Sequence, residues 1–191
     1  MTTQDLYERL QAKFGDDVGP LSEPKVDPSC VVKAARIVEI CRFAKQELGC
    51  DFLEDLTAVD WPKRNVIEVV YHLFSYVHRA GLVLKVEADR AAPRVPSSEG
   101  VWKAANWFER EVYDLFGVEF VGHPDLRRIL LPDDWVGHPL RKDYAEAGGY
   151  QGIGNTRVDP LVELKRLDDK ARAALPKPPP AAPSTPAPDK A

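Results

Sequence analysis

Between Trp107 and Tyr144 the chain reads WFEREVYDLFGVEFVGHPDLRRILLPDDWVGHPLRKDY, 38 residues that no single helix or strand can accommodate. Gly-His-Pro stands at 122–124 and again at 137–139. Proline lacks the backbone N–H and fixes its own φ, and it pushes the residue before it out of the helical region. Each triplet therefore builds a turn. Trp107 and Trp135 sit close to acidic and basic neighbours, a mixture that a plain core helix or strand, made of interchangeable apolar residues, has no use for. The rest of the chain reads as the body that presents this stretch.

That body is α+β, a mixed or antiparallel sheet with helices packed on it, followed by the irregular motif-bearing segment and an extended C-terminal tail. Leu6, Leu10 and Phe14 recur at helical spacing behind Thr2 or Thr3 as cap, with Gly15 as the stop. Residues 19–28 hold three prolines and read as a loop, and Ser29 to Val32 as a short strand. From about Ala34, the residues Ile37, Ile40, Cys41, Ala44 and Leu48 mark one helix face, and Gly49 is placed for a left-handed ending. Asp51 to Val59 predicts a strand covered on both faces. Val66 to Phe74 and the alternating Leu82, Leu84 and Val86 predict a hairpin joined by Ser75 to Gly81.

Residues 91–100 read as a loop. In Ala105 to Phe116, Phe108, Val112, Leu115 and Phe116 form one arc that can face the sheet, leaving Trp107, Glu111 and Asp114 on a free arc. Asp159-Pro160 opens a further helix that carries Leu161, Leu164, Asp168, Ala171 and Leu175. Pro176 to Ala191 is too rich in proline and alanine to bury a core and reads as disordered or extended. The expected division is 1–28 for helix and loop, 29–147 for the α+β domain, 148–175 for an extension with a docking helix, and 176–191 for the tail.

Composition narrows the function. A net charge of -4 with 29% charged residues speaks against a nucleic-acid binder, which carries a basic excess. The basic pairs Arg127-Arg128 and Arg141-Lys142 are flanked by acids, and arginine forks suit fixed contacts with carboxylates of a protein partner. Cys30, Cys41 and Cys50 lack CxxC spacing and no secretory leader opens the chain, so free thiols in a cytosolic protein are expected. Three cysteines fall short of the four thiolates of a common iron-sulfur cluster, and no apolar run reaches the length of a membrane span.

Two catalytic readings compete with a plain structural one. Glu109, Glu111 and Asp114 could form an acid-base set, but Glu109 points away from the other two and Arg110 stands near enough to neutralise one. An ion-pair or interface role is the better expectation. His123 and His138 with Asp125, Asp133, Asp134 and Asp143 imitate a metal site, yet neither histidine has a second at ligand spacing, and imidazole bonding to backbone or across an interface with another chain is preferred. Gly148-Gly149 and Gly152-Ile153-Gly154 lack the strand-to-helix frame of a dinucleotide loop.

The stretches Glu109-Arg110-Glu111-Val112-Tyr113-Asp114-Leu115-Phe116-Gly117 and Gly122-His123-Pro124-Asp125-Leu126-Arg127-Arg128-Ile129-Leu130 resemble the respiratory complex I 30 kDa subunit family. The pattern continues through Pro132, Asp134-Trp135 and Gly137 to Tyr144, and upstream through Asp55 to Asp60 and Val69 to Leu73. The resemblance implies a peripheral-arm subunit of a proton-translocating NADH-quinone oxidoreductase, held against the large subunit of the quinone module, which shapes the quinone site. It implies attachment at the cytoplasmic face of the bacterial inner membrane. It also implies that FMN, iron-sulfur clusters and quinone reside in partner subunits and no cofactor in this chain. The expected partner-contact residues are Trp107, Glu109, Glu111, Asp114, His123, Arg127, Arg128, Trp135, His138, Arg141, Lys142, Asp143 and Tyr144. An equivalent subunit of a membrane-bound hydrogenase or other-donor dehydrogenase has the same pattern. A stand-alone metal hydrolase is the reading from another class.

Overall fold

The computed structural model describes residues 1–22, 27–154 and 160–174. They fall into two compact units, residues 1–146 and residues from 147 onward. The first unit opens with α1 (Thr3–Phe14), whose start is held by reciprocal bonds: the Asp5 N–H donates to Thr2 Oγ1 and the Thr2 N–H to the Asp5 carboxylate. Its Leu6 and Leu10 are wholly buried, each gaining about 2 kcal/mol by the usual transfer scale. This helix packs into the same core as the sheet.

That sheet has four strands, β1 (Ser29–Val32), β2 (Phe52–Trp61), β3 (Val66–Ser75) and β4 (Ala80–Asp89), in the order β1-β4-β3-β2. β1 runs parallel to β4 and the other pairs are antiparallel, so the sheet is mixed. Strict alternation on β3 sends Ile67, Val69, Tyr71 and Leu73 to one face and Glu68, Val70 and His72 to the other. Cross-strand register carries Leu82, Leu84 and Val86 to the first face beside them. The helix α2 (Ile37–Gln46) covers that face with Ile37, Ile40, Cys41 and Ala44, and beyond its end Gly49 takes φ 68°.

Three expectations require correction. β2 is covered on one face only: Leu53, Leu56, Ala58 and Asp60 are buried, whereas Thr57 and Val59 are half-buried. A bulge between Leu53 and Asp55 inserts one residue against β3, which is why Leu53 and Leu56, three apart, share the core side. The opposite face forms a shallow depression of about 410 Å³ lined by Val59, Trp61, Val70, His72, Val83 and Lys85 among others.

The loop over 91–100 contains a strand, β5 (Arg94–Pro96), paired in parallel with β6 (Glu119–Val121). A partner 25 positions away leaves no local trace in the sequence. The third correction concerns α3 (Ala105–Phe116), which packs chiefly against β2 and whose second arc is far from free.

The second unit holds a two-stranded hairpin, β7 (Gly149–Tyr150) with β8 (Ile153–Gly154), and α4 (Pro160–Ala174). The glycine-rich run is thus a hairpin. Leu161, Val162, Leu164 and Leu167 of α4 are exposed. Asp159, Leu175 and the segment 176–191, singled out in the sequence, lie outside the described residues.

Candidate functional site

α3 presents three kinds of surface. Ala105, Val112 and Phe116 enter the core, Trp107 and Glu111 face outward, and Glu109 and Asp114 are charged yet fully buried. A buried carboxylate survives only when donors replace its water. Glu109 meets three: Oε1 accepts from the Ser98 N–H (2.7 Å) and the Ser98 hydroxyl (2.8 Å), and Oε2 accepts from the Ser97 hydroxyl (2.6 Å). Burial pushes its carboxyl above the usual range, and the serine donors and the charge of His123 pull it partly back. Glu109 is therefore a fastener between α3 and the loop after β5, and Arg110 does not neutralise it.

Arg110 turns the other way, to the segment 122–144, which runs along α3 as a strap. Successive bonds step down the helix. His123 Nε2 bonds to the Asn106 carbonyl (3.2 Å), and Arg110 donates to the carbonyls of Arg127 (3.2 Å) and Arg128 (3.5 Å). Asp114 Oδ2 then accepts from three consecutive backbone N–H groups, those of Ile129 (3.2 Å), Leu130 (2.8 Å) and Leu131 (2.9 Å), and Arg128 pairs with the same carboxylate at 3.4 Å. His138 Nδ1 bonds to the Asp114 carbonyl (2.9 Å), the Leu140 N–H to the Leu115 carbonyl (3.1 Å), and Arg141 Nε to the Phe116 carbonyl (2.7 Å). The last carbonyls of a helix have no partner within it, and here the strap supplies donors to those of Asp114, Leu115 and Phe116.

Beyond the helix end the strap reaches the sheet edge. The Lys142 N–H donates to Asp60 Oδ2 (2.8 Å), and Asp143 accepts from Arg90 (2.6 Å). Arg90 in turn grips Asp60 with Nε and Nη2 at 2.7 and 2.9 Å. Bonding to Arg90 holds the carboxyls of both Asp60 and Asp143 below the ordinary aspartate range. One buried carboxylate thus joins the ends of β2 and β4 to the end of the strap.

Gly117 explains how the strap passes so close. It ends α3 in the left-handed region, φ 74°, and a Cβ built there would lie 2.5 Å from His138 Nε2. Only glycine leaves room for that imidazole.

Of the thirteen residues expected to touch a partner, Glu109 and Asp114 are corrected outright, being wholly internal. His123, His138, Arg128 and Arg141 also point inward to backbone or to Asp114. Trp135 and Tyr144 are half-buried, and the Tyr144 ring packs near Gly137. Trp107, Glu111, Arg127, Lys142 and Asp143 are exposed, with Arg127 paired to Asp125 at 2.9 Å.

Both ring nitrogens of His123 are engaged, since Nδ1 also accepts from the Asp125 N–H (3.0 Å). Neither triplet presents a ligand set, and among the described residues no three His, Cys, Asp or Glu side chains converge on a metal position.

Asp60, Arg90, Ser97 and Ser98 carry the site without having been singled out for it. Asp60 does stand at a core-facing position of a strand otherwise apolar on that side, a parity clue that a buried partner waits for it. Arg90 and the serines offer no such clue.

The family model described as respiratory-chain NADH dehydrogenase, 30 Kd subunit, matches residues 30–150. One subunit of the NADH-quinone oxidoreductase of Moorella thermoacetica is 48% identical over 141 residues, 74% of this chain and 89% of that protein. One subunit of the F(420)H(2) dehydrogenase of Methanosarcina mazei is 38% identical over 146 residues, 75% of this chain and 92% of that protein. Among solved structures, a trypsin-resistant fragment of Nqo5 aligns with TM-score 0.56 and 30% identity, covering 64% of this chain and 98% of the fragment. A chain of the membrane-bound sulfane sulfur reductase, an archaeal respiratory membrane complex, aligns with TM-score 0.65 and 25% identity over 87% of this chain and 91% of that one.

Proposed function

From the premise that this chain belongs to the respiratory-chain NADH dehydrogenase 30 kDa subunit family, we propose that it is a structural subunit of a proton-translocating NADH-quinone oxidoreductase. It supports the large subunit of the quinone module and carries no redox centre. The carrying observation is that the family's match over 30–150 spans the strap and the sheet that anchors it, where the buried charged groups Asp60, Glu109, Arg110 and Asp114 are spent on internal fastening.

The thiols support the same reading. Cys30, Cys41 and Cys50 are all buried in the core, and burial raises each above the ordinary thiol range, to about 12 for Cys30 and about 11 for Cys50. Protonated core thiols are poor ligands for iron. On this reading FMN, iron-sulfur clusters and quinone are held by partner chains.

Among the described residues no helix is long and apolar enough to cross a membrane. The proposed role has the chain attached at the cytoplasmic face of the bacterial inner membrane through its partners.

The test is recovery of the tagged full chain from detergent-solubilised membranes of its own host. A flavoprotein, iron-sulfur proteins and the large hydrogenase-like subunit should come with it, together with NADH-dependent quinone reduction. A chain that purifies alone and turns over a substrate, or carries a coloured group of its own, overturns the proposal. The second reading, the equivalent subunit of an other-donor complex, rests on the likeness to the F(420)H(2) dehydrogenase relative. Reduction driven by a donor other than NADH in the recovered assembly would select it.

A further inference from the structure

The strap is polarised against the usual rule for a surface segment. Its bonding groups face α3: the backbone N–H groups of 129–131 on Asp114, His123 and His138 on helix carbonyls, and Arg141 on the helix end. Three of its aliphatic residues face out, Leu130 61%, Val136 84% and Leu140 49% exposed, while Leu126 packs on the core and Ile129 and Leu131 are half-buried. On α3, Trp107 is 62% exposed, with the Arg110 guanidinium 4.9 Å from its ring centre. Two strap carbonyls hold that guanidinium, so ring and cation are fixed before anything binds.

The charges are sorted as well. Arg110, Arg128 and Arg141 are turned inward to carbonyls or to Asp114, and Arg127 is paired with Asp125. Glu111 and Asp133 stay at the surface, where Lys142 and the Asp125-paired Arg127 are exposed cations. An apolar surface edged by carboxylates is repelled by anionic lipid and complements a protein face edged by lysine or arginine.

Resting on the reading above, we infer that the outer side of the strap, from Trp107 through Leu130, Val136 and Leu140, seats another protein of the assembly, one presenting apolar side chains rimmed by basic residues. The internal fastening through Asp114, Asp60 and Arg90 holds this surface in the bound form, so little ordering cost remains at assembly.

The test uses the tagged full chain in its native host, comparing Val136→Asp with Val77→Asp, a change at a residue 79% exposed in the β3–β4 turn. Thermal melts of the two purified variants establish that both fold. Val136→Asp should lower recovery of the assembly roughly tenfold or more, the effect of spoiling a central interface residue, and Val77→Asp should leave it unchanged. A photo-cross-linking residue at position 136 should capture one protein of the assembly. Equal recovery of the two variants, or cross-links from position 136 to lipid alone, overturns the inference while the family role stands. Wild-type chain that recovers no respiratory partner overturns the role itself.

Discussion

Arg90 holds Asp60 in a two-pronged grip although 30 positions separate them, and neither faces open solvent: the Asp60 side chain is fully buried and that of Arg90 16% exposed. Because the Lys142 N–H shares the same carboxylate, this pair is where the strap is tied to the sheet.

Replacing Asp60 with Asn leaves the shape and removes the charge that both donors need. Hydrogen bonds to a charged group contribute about 1.5–3 kcal/mol, so Asp60→Asn should lose stability on that scale in urea unfolding. The amide of Lys142 should exchange with solvent faster than in the parent. Unchanged exchange at Lys142 would show that the strap is tied down elsewhere.

The same node sets an acid response. Asp60 and Asp143 are both held low by Arg90, so their contribution is fully present above the unfolded aspartate value, near about 4, and drains away as pH falls from there through the depressed folded values. Urea midpoints measured across that window should drop more steeply for the parent than for Arg90→Gln. Parallel acid limbs would contradict this assignment.

Glu109 responds in the opposite direction. Burial raises its folded pKa, so its contribution is fully present below the ordinary glutamate value and is lost as pH rises through the raised one. Glu109→Gln keeps an oxygen for Ser98 and carries no charge, so its stability relative to the parent should improve as pH climbs from about 4 toward neutrality. Glu109→Ala orphans the buried Ser98 donors and should cost about 1–3 kcal/mol near pH 4, with the loss shrinking as pH rises, as equilibrium unfolding would record.

Gly117→Ala should be destabilising for two separable reasons. The left-handed backbone costs a side chain about 1–2 kcal/mol, and the new methyl group meets the His138 ring. Adding His138→Ala removes the second cost and keeps the first, so the double variant should be more stable than the sum of the single changes implies. Additive losses in the cycle would mean that the ring simply moves aside.

The elements of the body were legible because each announces itself within a few residues. Period-two alternation marks β3 and β4, one apolar face marks α2, Thr2 and Gly15 bracket α1, and proline and glycine mark both turns of the strap. Those signals come from backbone sterics and from the geometry of a single helix or strand, which any short stretch carries with it. The family, too, was readable from the strap and the end of α3 alone.

What the tertiary structure decided is where the charges of that motif go. Glu111 and Asp114 share a helical arc, yet the first stays exposed and the second becomes the acceptor for three strap N–H groups. Asp60 finds its donors 30 and 82 positions away, and Glu109 finds its own at Ser97 and Ser98 on a loop ordered by a parallel partner strand. A carboxylate can be buried only where donors from distant segments converge to replace its water, and no local pattern encodes that convergence.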